Sequence, residues 1–597
     1  MTWRHFGLAG MLALSTSAAE PGWATPASTV DSDINFALLD YRGRLHDLRR
    51  ADARVVVLFF SANGCPVARQ SYAKLHALQH KFRERSVAFW VVDSDVSDDR
   101  DSVEQEAKTF GIAPLPVLID DAQGLARLLG VDRTGDAVAI STRDGRVFYH
   151  GAVDDQLAEG AQRPAASAQP LERALDQFLA GTPVEVPRTV AHGCLIHFES
   201  GQGDVTRPVS YTSDIAPLLE RKCASCHSPG NIGPWSMTSY EKVKGRVEMI
   251  REVVLTRRMP PWDADPRYGR FSNDRSLTRA EKERLLRWVE QGAPRGEGSD
   301  PLLSLKVPAP EWPLGTPDLV LTLPAVQEIP ATGVLDYRHV KLRSPYTNDV
   351  WLGAVAIRPG NRKVVHHVIL RAKFEGSDDD GSGRGEMLGG WAPGATARRA
   401  PAGTGMFLGR DAVFDVELHY TTMGAPQTDR TQIGLYLLPG RPERRLLGGA
   451  AWNTEFSIPP GEPDTEVFTI KSFRRPTWLY TLTPHMHLRG RWMKYEALYP
   501  DGSRETLLSV PRYDFNWQTT YEFAEPKSIP AGTWLLCTGG FDNSTRNPAN
   551  PAPGKHVTWG EQSWDEMFIG FYTATEGPAE PRTLGDARRR IGHVQSN

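Results

Sequence analysis

The spacing of apolar residues changes three times along this chain, and each change predicts a different kind of unit. Between residues 30 and 185 short apolar runs alternate with amphipathic stretches. Residues 54–60 (Arg-Val-Val-Val-Leu-Phe-Phe) read as a buried strand closed by Asn63-Gly64-Cys65-Pro66, residues 67–82 as a helix, and 86–92, 115–119 and 146–149 as further strands, the order of a sheet with helical crossovers. From 205 to 298 the period becomes helical: 214–222, then 240–256 with Val243, Val247, Ile250 and Val254 on one face, then a capping box, Thr278-Arg-Ala-Glu281, ahead of Leu285, Trp288 and Val289. The Pro-rich stretch 299–315 reads as a linker. Beyond it, short alternating runs separated by Gly, Pro and Asp continue to about 575, the pattern of β-sandwiches, here divided into 316–445 and 446–578 with a tail at 579–597.

Composition changes this picture little. At 597 residues the chain is long enough for about four such units. With 40% hydrophobic and 24% charged residues it is neither a disordered chain nor a membrane bundle. Lys and Arg (69) nearly balance Asp and Glu (72), so no overall charge points to nucleic acid as a partner. The first 24 residues add a compartment: Arg4 and His5, an apolar run over 6–14 and then small residues form a secretory signal pattern, its apolar core too short to span a bilayer. No later run approaches the roughly 18 apolar residues of a spanning helix, so the expectation is an exported protein, periplasmic or secreted, with no membrane span.

Five cysteines, at 65, 194, 223, 226 and 537, are too few to build a disulfide scaffold of this size, so each needs its own account. Cys223-Ala-Ser-Cys226-His227 is the most specific motif: two thiols at this spacing add to the vinyl groups of one haem c, and the adjacent imidazole ligates its iron. The surrounding three-helix pattern resembles a small class I cytochrome c. Met259, in Met259-Pro-Pro-Trp, is the best-placed sixth ligand, with Met237 and Met249 as competitors; Met249 falls inside a predicted helix and reads as packing. Cys65 sits at a strand-to-helix corner, where a helix N-terminus stabilises a thiolate. Around it the segment 30–185 resembles the thioredoxin-like redoxins, with Leu115-Pro116 where that fold carries its cis-proline. It departs from them at Ala68, the second position of a CxxC pair, and at Ala62, where peroxiredoxins carry threonine. Cys65 is therefore either a redox thiol, with Arg69 as helper, or an inert scaffold cysteine. Cys194, in His192-Gly193-Cys194, is a candidate partner whose distance the sequence leaves open, and Cys537 has no assigned role.

The β-rich half concentrates histidines. His366-His367 opens an apolar run, His419 lies in the alternating run 413–420, and Thr-Pro-His485-Met-His487 places two imidazoles two residues apart. On a strand, residues i and i+2 face one side, so His485 and His487 can chelate one ion; adjacent His366 and His367 share one only if the strand bulges. These motifs, with Glu417-Leu-His419-Tyr420 and Asp565-Glu566-Met567, resemble the ascorbate-dependent copper monooxygenases, the family of peptidylglycine alpha-hydroxylating and dopamine beta-monooxygenases. The resemblance implies two eight-stranded jelly-roll-like domains with one copper each: His366, His367 and His419 for an electron-donating copper, and His485, His487 and Met567 for the catalytic, oxygen-activating one. Donor chemistry agrees, since a thioether is soft and favours Cu(I) and no thiolate is offered.

The expected fold class is therefore multidomain: an α/β thioredoxin-like domain, an all-α cytochrome c domain and two all-β copper monooxygenase domains. The expected function is a copper-dependent monooxygenase that hydroxylates a C–H bond of a small-molecule or peptide substrate with O2. Its electrons would come from an external donor, an ascorbate-like reductant or a redox protein, through the fused haem c. The alternatives are a non-catalytic haem/copper electron-transfer or copper-binding protein, and a thiol peroxidase or reductase at Cys65.

Overall fold

The computed structural model describes residues 33–577 except 159–160, 199–207, 230, 232, 306–311, 378–384, 394 and 396. The expected signal segment (1–24) and tail (579–597) lie outside the described residues. Strand Val55–Ser61 is buried at every position and forms the middle of a five-stranded sheet, ordered Val117–Ile119, Val87–Asp93, Val55–Ser61, Asp136–Ser141, Val147–Ala152. The first three strands run parallel, and the last two each run antiparallel to their neighbours. Helices Pro66–Phe82 and Arg100–Thr109 make the crossovers that parallel pairing requires. Asp136–Ser141 was not among the expected strands, because Ala137 and Ala139 carry little strand preference even though both are fully buried. Among the described residues of this unit the cis peptide is Ala113–Pro114 and not the expected Leu115–Pro116; the Pro116 carbonyl instead accepts the Val91 N–H at 2.9 Å at the edge of the sheet.

Residues 208–305 carry helices and no strand among those described. The single helix expected over 240–256 is two, Tyr240–Lys244 and Val247–Leu255, separated at Gly245, where a helix interior would cost the most backbone entropy. The capping box forms as expected: Glu281 N–H donates to Thr278 Oγ1 at 3.2 Å and Thr278 N–H to Glu281 Oε2 at 3.0 Å. Trp288, Leu285 and Val289 then pack with Tyr211, Tyr240 and Leu302, so the start of the stretch read as a linker belongs to this helical core.

Among the described residues, 312–577 carry strands and no helix. An eight-stranded sheet runs in the order Leu319–Thr322, Gln432–Leu437, Val350–Arg358, Thr404–Leu408, Arg444–Asn453, Phe568–Glu576, Thr477–His485, Tyr521–Ile529. Its first four strands share an apolar core with the four-stranded sheet Arg338–Arg343, Val413–Tyr420, Val365–Lys373, Glu386–Trp391. The last four share a second core with Thr465–Ser472, Trp534–Phe541, Gly490–Leu498, Arg504–Val510. Each half is thus an eight-stranded sandwich, and a short parallel pairing of Thr404–Leu408 with Arg444–Asn453 joins them into one sheet. The helical unit is keyed to the second sandwich by Trp262, which enters its core, and by the bridge between Phe271 and Phe523.

Candidate functional site

His366 and His367 lie at the start of strand Val365–Lys373, beside strand Val413–Tyr420 with His419 near its end. Between Val365 and His367 the pairing with that neighbour slips by one residue, a bulge that leaves His366 as the extra position. This is the irregularity two adjacent histidines need to face the same way. Nδ1 of His366 lies 3.1 Å from Nδ1 of His367 and 3.2 Å from Nδ1 of His419. One donor nitrogen from each of the three buried rings falls within 4.8 Å of the others. Such separations suit nitrogens sharing one cation at about 2.0–2.1 Å. Burial, then the neighbouring imidazoles, hold these rings neutral: His366 is pushed down to about 4, His419 to about 2, and His367 well below its ordinary value. Neutral imidazole is the ligating form.

His485 ends strand Thr477–His485, and His487 follows in the turn. Their ring centres are 5.3 Å apart at 88°. His485 Nδ1–H donates to Gln518 Oε1 at 2.9 Å and His487 Nδ1–H to the Asp565 carbonyl at 3.4 Å, which leaves Nε2 of each ring with its lone pair. His487 Nε2 is buried with no hydrogen-bond partner among the described residues, as suits a nitrogen kept for a metal. Burial brings His485 down to about 4 and holds His487 well below its ordinary value. Met567 is half-buried beside Ile569 and Phe571. Ile569 pairs with His485 across the sheet, and the Phe571 ring lies 5.9 Å from the His485 ring, so Met567 shares the His485 face.

The two sets face each other, with the His367 and His485 rings 6.5 Å apart. Between them stand two aromatics. Tyr337 lies 4.5 Å from the His419 ring and 6.2 Å from that of His487; Phe515 stacks on His366 at 4.7 Å and lies 5.7 Å from His487. Phe515 falls in an aromatic run, 513–517. Tyr337 carried no signal. The motif Asp565-Glu566-Met567 left Glu566 without a role; fully buried, it supports His487, accepting the His487 N–H at 2.8 Å and the Arg489 N–H at 2.6 Å. Arg489 is buried beside it, donating to Asn543 Oδ1 at 2.8 Å and the Trp564 carbonyl at 3.0 Å.

In the helical unit Cys223, Cys226 and His227 follow helix Ala216–Lys222 in one tight turn. His227 Nδ1–H donates to the Trp235 carbonyl at 2.9 Å, leaving Nε2 as the ligating atom. Met237 is buried and bonds the His227 carbonyl through its N–H at 2.7 Å, while Met259 is half-buried with its N–H on Val253 O at 3.0 Å. Met249 is on its helix as expected but 52% exposed, so it is not packing. A cleft of about 330 Å³ opens beside Cys226, lined by Asn231, Arg275, Arg362, Trp391 and Arg398. Arg362, which donates to Asn231 Oδ1 at 3.2 Å, stands four residues before His366 and so ties the CxxCH turn to the histidine-bearing strand.

Cys65 caps helix Pro66–Phe82, its sulfur 3.5 Å from the Ala68 N–H. Arg69, the expected helper, is instead held by Glu106 at 2.7 and 2.9 Å and lies over Phe110. Cys537 is sealed in the second sandwich, its thiol pushed far up by burial, and packs as core. No helix among the described residues is long and apolar enough to cross a membrane.

Residues 31–149 match the model of the AhpC/TSA family. No curated protein matches the chain. Solved structures similar to the N-terminal part include an uncharacterized conserved protein from Geobacillus kaustophilus (24% identity over 29% of this chain and 93% of that one, TM-score 0.25). A hypothetical protein from Sinorhizobium meliloti 1021 is also 24% identical, over 30% of this chain and 98% of that one (TM-score 0.26). The thioredoxin domain of a thiol-disulfide oxidoreductase from Bacteroides vulgatus is 12% identical, over 26% and 99% (TM-score 0.20). The N-terminal unit is thus a thioredoxin-like redoxin domain of the AhpC/TSA kind, followed by helices and an all-β region.

Proposed function

We propose that the β half holds two copper ions and that the protein hydroxylates a C–H bond of a small-molecule or peptide substrate with O2, fed with electrons through a haem c on the helical unit. The supporting observation is the five-histidine arrangement: buried, neutral rings in two facing sets, three Nδ1 atoms converging in one and two Nε2 atoms left free in the other. His366, His367 and His419 would hold one copper, and His485, His487 and Met567 the other; a thioether beside imidazoles favours Cu(I) over zinc. Copper supplies one-electron redox chemistry and reactivity toward O2, and haem c supplies a one-electron carrier.

The chain's own residues do the rest. Gln518 and the Asp565 carbonyl fix the tautomers of His485 and His487, and Glu566 pins the turn that presents them. Phe515 and Tyr337 wall the space between the sets and keep water from it. Cys223, Cys226 and His227 would hold the haem, with Met259 as the proposed sixth ligand, and Arg362 links that turn to the His366 strand. The signal pattern at residues 1–24 favours a periplasmic or secreted location, where an external reductant would load the haem.

The test is a metal count on purified holoprotein. The parent is expected to carry two coppers and one iron per chain, and His419→Ala one copper with iron unchanged. A parent that never binds copper, even after reconstitution, overturns the reading.

A further inference from the structure

The redoxin domain lacks the second cysteine of a CxxC pair, since Ala68 occupies that place. The structure supplies a second thiol from elsewhere. Past the end expected for this domain at residue 185, the chain runs back along it as a strap. Thr189 N–H bonds His150 O at 3.0 Å, Ile196 N–H bonds Asp132 O at 2.9 Å, and Val96 N–H bonds His197 O at 3.1 Å, with Ile196 buried in the domain core. Between these anchors lies Cys194.

Its position is fixed by two residues. Thr134 N–H donates to the Cys194 carbonyl at 2.9 Å, the Cys194 N–H donates to Thr134 Oγ1 at 2.9 Å, and the same Oγ1 lies 2.9 Å from Cys65 Sγ. Gly193 makes the approach possible: a Cβ there would stand 1.9 Å from the Thr134 carbonyl oxygen. Cys65 and Cys194, 129 positions apart in the chain, thus meet at one hydroxyl, that of Thr134. Cys65 is buried and Cys194 exposed, with Leu195 and Val190 beside it 64% and 71% exposed.

We propose that Cys65 and Cys194 form a reversible dithiol–disulfide couple that takes two electrons from a dithiol partner, Cys194 being the sulfur the partner attacks. This is independent of the copper reading. In the oxidised form a partner thiolate attacks Cys194 Sγ. A partner–Cys194 bond forms, the Cys65–Cys194 bond breaks, and its electron pair leaves on Cys65. The partner's second thiol then gives up its proton and attacks the partner sulfur of that mixed disulfide, releasing Cys194. The partner ends as a disulfide and the chain as two thiols, with two electrons and two protons moved. Burial opposes ionising Cys65, but the Thr134 hydroxyl, the Ala68 N–H and Cys194 outweigh it and hold the thiol below its ordinary value. Contact with Cys65, then burial, pushes Cys194 up. Cys65 is therefore the better leaving group, and exposure leaves Cys194 as the sulfur an incoming thiolate can reach.

The test uses the full-length protein, oxidised with diamide and mapped without reduction by mass spectrometry. A peptide joining Cys65 to Cys194 is expected, lost on treatment with dithiothreitol, with both thiols then alkylated in equal amount. Glutathione, a monothiol, should leave its adduct on Cys194. A Cys194→Ser chain should return Cys65 unlinked after the same oxidation. The proposal is overturned if Cys194 links to another cysteine or to a second chain, if both thiols stay free in diamide, or if the glutathione adduct sits on Cys65.

Discussion

The two histidine sets use the same side chain in opposite ways. In the first sandwich His366, His367 and His419 turn Nδ1 inward, and a strand bulge brings the adjacent pair to one side. In the second sandwich Gln518 and the Asp565 carbonyl take the Nδ1 protons of His485 and His487, so Nε2 points inward. The first set is closed, three nitrogens within 4.8 Å; the second has two imidazoles, and on the proposed reading its third donor is Met567, half-buried just before the neighbouring strand. On the proposed reading the first set would hold the electron-donating copper and the second, softer one the copper that meets O2. The ring nitrogen presented is decided by what bonds the back of the ring, which no histidine spacing reveals.

Three changes would break or sharpen this contrast. Met567→Ala should abolish hydroxylation while leaving iron content and thermal unfolding close to the parent, measured by substrate-dependent O2 uptake and a melting curve; turnover equal to the parent would make the two sets equivalent. Glu566→Ala strikes the support of the second set alone. It orphans the buried N–H groups of His487 and Arg489, for an expected loss of about 3 kcal/mol in denaturant unfolding together with weaker binding of one copper only. The change that should leave copper untouched lies outside both sets, at Asp263, where burial pushes the carboxyl up to about 7 against the pull of Arg512 and Arg257. The folded protein keeps this proton where the unfolded chain has lost it, so stability falls as the pH rises from about 4 to 7. Asp263→Asn should remove that slope, leaving the variant more stable than the parent above pH 7 by up to roughly 4 kcal/mol, with copper binding unchanged.

Local chemistry was legible in the sequence. The strand-to-helix corner at Cys65, the CxxCH turn and the capping box at Thr278 need only neighbours a few residues away, and the structure forms each. The histidine pair at 366 and 367 carried a condition, a bulge, and the bulge is there. What escaped depends on distant partners. Cys194 meets Cys65, at the Thr134 hydroxyl, only because a strap doubles back over the domain, and Glu566 supports His487 across 79 residues. The break at Gly245 and the strand at Asp136–Ser141 were missed for a milder reason, since one glycine and two alanines weaken a periodic pattern without announcing what replaces it.

The proposed sites require sulfur and imidazole to meet at copper, and X-ray absorption at the copper edge of the reduced holoprotein reads that directly. The expected spectrum is a nitrogen shell with a sulfur contribution that disappears in Met567→Ala, while the nitrogen shell persists. A nitrogen-only shell, identical in parent and variant, would contradict the assignment of Met567 and with it the difference between the two sets.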